Sequence, residues 1–342
     1  MSDKNNKIVS YNDIISLDNL HKAWREFVSG KKYKPDVSSF QLELSRNIYN
    51  LHFALKDKCY VHGRYEAFSV NDPKPRSIHK ASVRDRLLHH AIYRVLYPYF
   101  DKKFISDSYS CRDFKGTHRA LDRFAQFSRK VSRNYTQRCW VLKCDIRKFF
   151  ASVDHSILFS IIAKNIEDEN IRLLLKRIIE SFNSTAPGKG LPLGNLTSQL
   201  LVNVYMNEFD QYVKRTLKQK YYIRYADDFV IMDSDRNTLA LTLPKVRQFL
   251  TEKLSLSLHP DKVFIKSYTS GIDFLGWVHF ANHRVLRTST KRRMLRRLKS
   301  PEIKEASVVS YRGMISHGNG HKIRKFIDSL LVGDSDFANP DN

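Results

Sequence analysis

No segment constrains this chain more than Tyr221 to Met232, which reads Tyr-Tyr-Ile-Arg-Tyr-Ala-Asp-Asp-Phe-Val-Ile-Met. Aromatic and β-branched residues on both sides are strand formers. The stretch therefore predicts a tight hairpin whose turn is Ala226-Asp227-Asp228. Such a turn crowds two carboxylates where their repulsion is costly unless a cation neutralises it. A hairpin of this kind points to a divalent metal.

The 342 residues suffice for a large core divided into two or three subdomains. A hydrophobic content of 42% with 12% aromatics is that of a folded protein and excludes a disordered chain. Against 35 Asp+Glu stand 59 Lys+Arg, a net charge of +24. That excess suits a polyanionic partner, most simply nucleic acid; the plainer alternative is a solvated basic surface. Cys59, Cys111, Cys139 and Cys144 form no C-x-x-C pair, so free thiols in a reducing compartment are expected. Met1 to Lys7 is polar without a signal-type apolar segment, and no run is long enough to cross a bilayer. These features predict a cytoplasmic protein with no membrane partner.

Helical spacing of Leu87, Leu88, Ala91, Ile92, Val95 and Leu96 predicts a helix over Asp85 to Leu96, stopped by Pro98. A polar segment from Ser110 to His118 leads into a helix from about Arg119, and Trp140 to Ile146 reads as a strand ending near Asp145. Helices are expected over Ser156–Ile166, Asn170–Ser181 and about Leu243–Leu254, with a strand pair ending in Phe274-Leu275-Gly276-Trp277. Leu201, Val204, Tyr205, Phe209, Tyr212 and Val213 mark another helix. Strands and helices interleave without strict alternation, which makes the fold class α+β. Ala281 to Ser300 carries eight Lys and Arg and no acid, with Met294, Leu295 and Leu298 as an apolar stripe. It reads as a helix with one packed side and one cationic, phosphate-tracking side, or else a solvated face.

Nucleotidyl transfer needs an attacking hydroxyl activated and a pyrophosphate stabilised, and two Mg²⁺ ions about 4 Å apart serve both ends. Such hard cations take oxygen ligands and leave positions for substrate phosphates. Asp145 at a strand end, with Asp227 and Asp228 in a hairpin turn, supplies that site if the two elements are neighbours. Alone, Asp145 is equally the pattern of a helix cap or a surface ion pair.

In this order the motifs resemble the fingers and palm of a reverse transcriptase, over about Pro73 to Trp277, with a thumb after them. The resemblance implies a right-hand polymerase fold: an N-terminal helical extension over 1–60, fingers over 61–135 with part of 155–190, palm over 136–280 and a helical thumb over 281–342. Lys143 to Phe150 is similar to the first palm motif, whose Asp binds both metals, which implies Asp145 and the neighbouring Ile146 as ligands beside Asp227 and Asp228. Phe150 matches the aromatic that blocks a ribose 2′-hydroxyl, although a core phenylalanine would look the same. Ser110 to Leu121 resembles a fingers motif in which Arg112 and Lys115 would bind the incoming triphosphate. Lys74-Pro75-Arg76 resembles the preceding motif and implies a phosphate contact by Arg76, with Arg84 and Arg86 close by. Lys262 matches a lysine near the leaving phosphate. Phe274, Leu275, Gly276 and Trp277 resemble the primer grip, and Arg292, Arg293, Arg296 and Arg297 would track template and primer.

Most reverse transcriptases carry Gln-Gly in the second palm motif, with Ser-Pro four residues later. Here the stretch is Leu193-Gly194-Asn195-Leu196-Thr197-Ser198-Gln199, with Leu193 and Gly194 expected beside the nucleotide. This pattern resembles the enzymes of diversity-generating retroelements. It implies error-prone copying of a template RNA into cDNA from dNTPs, two Mg²⁺ ions, and a small basic helical-bundle accessory protein. Reverse transcriptases of group II introns, retrons or antiviral defence are the alternative, as is a non-catalytic RNA-binding scaffold on the same fold.

Overall fold

The computed structural model describes residues 9–71, 75–184, 186–300 and 302–332. Lys74, Met1 to Lys7 and the last ten residues of the expected thumb lie outside the described residues. Among the described residues, nine strands form three antiparallel sheets. A hairpin of β1 (Glu66–Val70) and β2 (Arg76–Lys80) stands apart. The main sheet contains β3 (Trp140–Asp145), β4 (Tyr222–Tyr225), β5 (Asp228–Asp233) and β6 (Phe264–Ser267) in the order β4-β5-β3-β6. The third sheet joins β7 (Ile272–Phe274), β8 (Trp277–His279) and β9 (Arg284–Leu286).

Strand periodicity sets what each face of the main sheet buries. Phe229 and Ile231 of β5, with Leu142 and Cys144 of β3, join the larger core that includes residues of helices Val83–Asp101 and Leu196–Gln211. Val230, Met232 and Val141 point to the other face, into a second core shared with helix Thr117–Val131 and β7 to β9. Asp145 and Lys143 alternate with Leu142 and Cys144 and so share this second face with Asp228. Asp145 and Asp228 thus stand at the rim of a sheet buried on both sides. Four N-terminal helices, from Tyr11–Ile15 to Leu44–Lys56, precede the β1–β2 hairpin, and the first three pack on Val83–Asp101. Helices Thr288–Leu298, Glu305–Ile315 and His321–Val332 close the described chain.

Several expected elements differ. Pro98 does not stop its helix, which continues to Asp101. A proline there removes a hydrogen bond and costs about 3 kcal/mol. Tyr97 and Phe100 are buried on either side of it, and burying each stabilises by about 1.5–3 kcal/mol. The helix expected from Leu243 starts at Arg236, because the Asp235 carboxylate accepts from the backbone N–H groups of Asn237 and Thr238. Phe264–Ser267 joins the main sheet, so the Phe274–Trp277 turn belongs to a separate three-stranded sheet. The basic stretch after Ala281 opens with a strand and becomes helical only at Thr288. All four cysteines are free, Cys59 and Cys111 exposed, Cys139 and Cys144 buried. Among the described residues, no helix is long and apolar enough to cross a membrane.

Candidate active site

Tyr225 pairs with Asp228, which leaves Ala226 and Asp227 as a two-residue turn. Ala226 sits at φ +55, a left-handed conformation that costs a non-glycine residue about 1 kcal/mol. The turn lies against the end of β3: Asp145 is directly opposite Asp228, and the Ile146 N–H donates to the Asp227 carbonyl at 3.1 Å. The loop after helix Arg236–Leu254 laces onto the same end, since the His259 N–H donates to the Asp145 carbonyl at 2.8 Å. Like charges directly opposite one another destabilise a sheet.

That repulsion is visible in the carboxyls. Burial pushes Asp228 up to about 7, with the Asp145 charge adding to the rise and Lys143 opposing it. Asp227 is raised as well, by burial first and then by Asp145. Two ammonium groups compensate. Lys262 Nζ donates to Asp145 Oδ1 at 2.9 Å, and Lys143 Nζ lies 3.3 Å from Asp228 Oδ2. Asp228 Oδ1 is buried with no hydrogen-bond partner. An orphaned carboxylate oxygen beside two further acids fits a hard divalent cation. Among the described residues, no group of three or more His, Cys, Asp or Glu side chains is arranged to hold a metal ion by itself. Mg²⁺ does not ask for one, since it usually takes one or two carboxylates, water and substrate phosphates.

The structure ties Arg76 to these acids and links several other expected residues to one another. Arg76 opens β2, exposed, and its charge offsets a small part of the rise at Asp227. The His79 N–H donates to the Leu193 carbonyl at 3.0 Å, so β2 and the 191–194 segment are in contact. Gly194, at φ +107, sits where a Cβ would meet Ile78 Cγ2 at 2.9 Å. The Leu191 N–H donates to the Phe150 carbonyl at 2.8 Å, which sets half-buried Phe150 beside the same segment. Phe274 pairs with Trp277 across a turn whose residues, Leu275 and Gly276, both have positive φ, the preferred geometry for two-residue hairpins. On helix Thr288–Leu298, Met294, Leu295 and Leu298 are buried while Arg292, Arg296 and Arg297 are exposed and Arg293 is half-buried.

Arg112 departs from expectation. Its guanidinium donates to the Asp101 carboxylate at 2.6 Å, to the Ile105 carbonyl at 2.7 Å, and to the Ser108 and Asp101 carbonyls, with only 5% of its side chain exposed. So engaged, it clamps the 101–112 loop and offers no free fork to a triphosphate. Lys115 likewise donates to the Ser106 carbonyl at 2.7 Å.

Sequence reasoning missed two groups of residues. Lys143 is one, a charged residue two positions before Asp145 in an otherwise apolar strand, which strand periodicity places on the acids' own face. The other is the ion pair of Arg224 and Asp210, both fully buried, bonded at 2.8 and 2.7 Å. Arg224 also donates to the Ala226 carbonyl at 3.1 Å and to Asn203 and Ser108, while the Tyr222 hydroxyl donates to Asp210 at 2.7 Å. This network holds the acidic turn from beneath.

Residues 70–279 match the family described as reverse transcriptase (RNA-dependent DNA polymerase), and the chain belongs to that family. Among curated relatives, Protein YkfC of Escherichia coli is 27% identical over 64% of this chain and 65% of its own length. The group II intron-encoded protein LtrA of Lactococcus lactis is 22% identical over 70% of this chain and 50% of its own. Retron Ec83 reverse transcriptase of Escherichia coli is 30% identical over 32% of this chain and 38% of its own. The chain therefore spans 38 to 65% of the length of these relatives. A solved structure of apo telomerase from Candida Tropicalis superposes with a TM-score of 0.52 at 11% identity, covering 73% of this chain and 51% of that one. The fold is that of the right-hand polymerases.

Proposed function

We propose that this chain is an RNA-directed DNA polymerase that copies an RNA template into cDNA from dNTPs. The observation that carries the reading is Asp145 opposite Asp228 across neighbouring strands, with Asp227 in the turn between β4 and β5. These acids and the Ile146 carbonyl would hold two Mg²⁺ ions, which when bound favour the attacking 3′-hydroxyl and the departing pyrophosphate. The remaining roles fall to the chain's own groups. Arg76 and Lys262 are cations at the rim able to meet phosphates; Lys262, 41% exposed, can exchange Asp145 for one. Arg112 and Lys115 act at one remove, by holding the loop that packs on β4. Phe150 faces the sugar and selects the deoxy form, and the Phe274–Trp277 turn presents the primer end. On this reading the chain divides into an N-terminal extension over 1–60, fingers over 61–135 with part of 155–190, palm over 136–280 and thumb over 281–342. The test is extension of a DNA primer on an RNA template with dNTPs and Mg²⁺; absence of RNA-templated product would contradict the reading.

The finer reading is an error-prone enzyme of the retroelement type, working with a small basic helical-bundle protein. Its support is the 193–199 pattern, in which Leu193 offers the nucleotide an aliphatic surface without donor or acceptor. A lost polar contact changes binding by about 1 kcal/mol, and fidelity depends on how that loss differs between right and wrong pairs. Leu193→Gln should lower misincorporation opposite template adenine, read by sequencing cDNA made on one RNA by both proteins. Equal error spectra would place the determinant elsewhere.

A further inference from the structure

Lys143 is an unusual lysine for its position. Only 9% of it is exposed, yet burying an ammonium is costly unless its donors are satisfied. Its Nζ has two partners from different sheets: the Asp273 carbonyl of β7 at 2.8 Å and Asp228 Oδ2 of β5 at 3.3 Å. The contact with Asp273 continues outward. The Asp273 side chain accepts from Arg287 Nη2 at 2.5 Å, and the Arg287 N–H donates to the Gly276 carbonyl at 3.0 Å, inside the Leu275–Gly276 turn. Arg287 is also the N-terminal cap residue of helix Thr288–Leu298. A short polar chain therefore runs from the acidic hairpin through Lys143 to the β7–β8 turn and the first of the last three helices.

We infer that Lys143 is a positioning residue that couples cation occupancy at Asp228 to the seating of the primer end on the β7–β8 turn. This rests on the polymerase reading above. The ammonium divides its donors between a carboxylate and a carbonyl. With a divalent cation held on Asp228, the Lys143 ammonium would lose that carboxylate as a partner and keep the Asp273 carbonyl, which anchors β7. Cation binding thus favours the seated turn. By linkage, a primer end that holds the turn seated withdraws the ammonium from Asp228 and strengthens cation binding by the same factor. Couplings of this kind span about 5- to 150-fold.

The test measures Mg²⁺ binding directly, by calorimetry on the full chain, with and without a template–primer duplex ending in a dideoxynucleotide. In the wild type the duplex should raise Mg²⁺ affinity at least fivefold. Lys143→Met removes the competing charge at similar length, so Mg²⁺ should bind more tightly to the free protein and the duplex should change its affinity less than twofold. Arg287→Gln interrupts the chain one link further out, at a partly exposed position, and should reduce the coupling even if Lys143→Met does not fold. Lys143→Arg, which keeps the charge, should retain part of it. Equal coupling in the wild type and in both interrupting variants would overturn the inference and leave the polymerase reading standing. Failure of the wild type to bind Mg²⁺ saturably would overturn the two-metal site, and this coupling with it.

Discussion

Asp228 carries the heaviest electrostatic load in the site. It is buried, faces Asp145 across the sheet, and titrates near 7 instead of the usual 3.8. A carboxyl whose pKa is raised by folding lends stability that is fully present below its unfolded value and is lost as pH rises through about 7. The metal-free protein should accordingly lose thermal stability between about pH 4 and 7, with Asp227 adding in the same direction. Mg²⁺ needs the ionised form, so its apparent affinity should climb up to about tenfold per unit below that pKa and level off above it. Thermal melts with and without Mg²⁺ from pH 5.5 to 8.5 would read both trends; a Mg²⁺ affinity flat across that range would remove Asp228 from the cation site.

At the scale of elements, the acidic turn depends on what lies beneath it. Arg224 ties the strained Ala226 carbonyl to Asp210 on helix Leu196–Gln211 and to the 105–110 loop, which also pairs with β4. Removing one member of a buried ion pair leaves an uncompensated charge and costs about 3–5 kcal/mol. Arg224→Met should destabilise the protein by that amount in urea unfolding, and adding Asp210→Leu should recover most of it. No recovery in the double variant would mean that the geometry, rather than the charge, supports the turn. The hairpin, β3 and the Met294–Leu298 stripe were legible because periodicity and strand propensity are local signals. Pro98 and the start at Arg236 were misread because tertiary burial and a cap override a local rule. Asp210 left no sequence signal at all, since only the folded chain brings its helix under β4. Arg224 and Lys143 did leave one: each is a lone charge in a strand that is otherwise buried. Arg112 matched its motif, but its partners come from the preceding loop, which a motif cannot reveal.

For the whole molecule, a net charge of +24 suits a polyanion where an accessible face displays it. Helix Thr288–Leu298 does so, with its apolar stripe packed and Arg292 and Arg296 outward. Replacing Arg292, Arg293, Arg296 and Arg297 by Gln should weaken template–primer binding and flatten its log–log salt dependence by about 3, given nearly one released counterion per lost phosphate contact. An unchanged slope would return this face to a solvated surface. On the proposed reading, Asp145, Asp227 and Asp228 at the rim of the β4-β5-β3-β6 sheet perform RNA-templated DNA synthesis. Single-turnover extension of a DNA primer on RNA, comparing the wild type with Asp145→Asn and Asp227→Asn, tests it most directly, with RNA binding and melting temperature followed in parallel. The expected result is synthesis by the wild type and none by either variant, with folding and RNA binding nearly intact. Undiminished extension by Asp145→Asn or Asp227→Asn would contradict it.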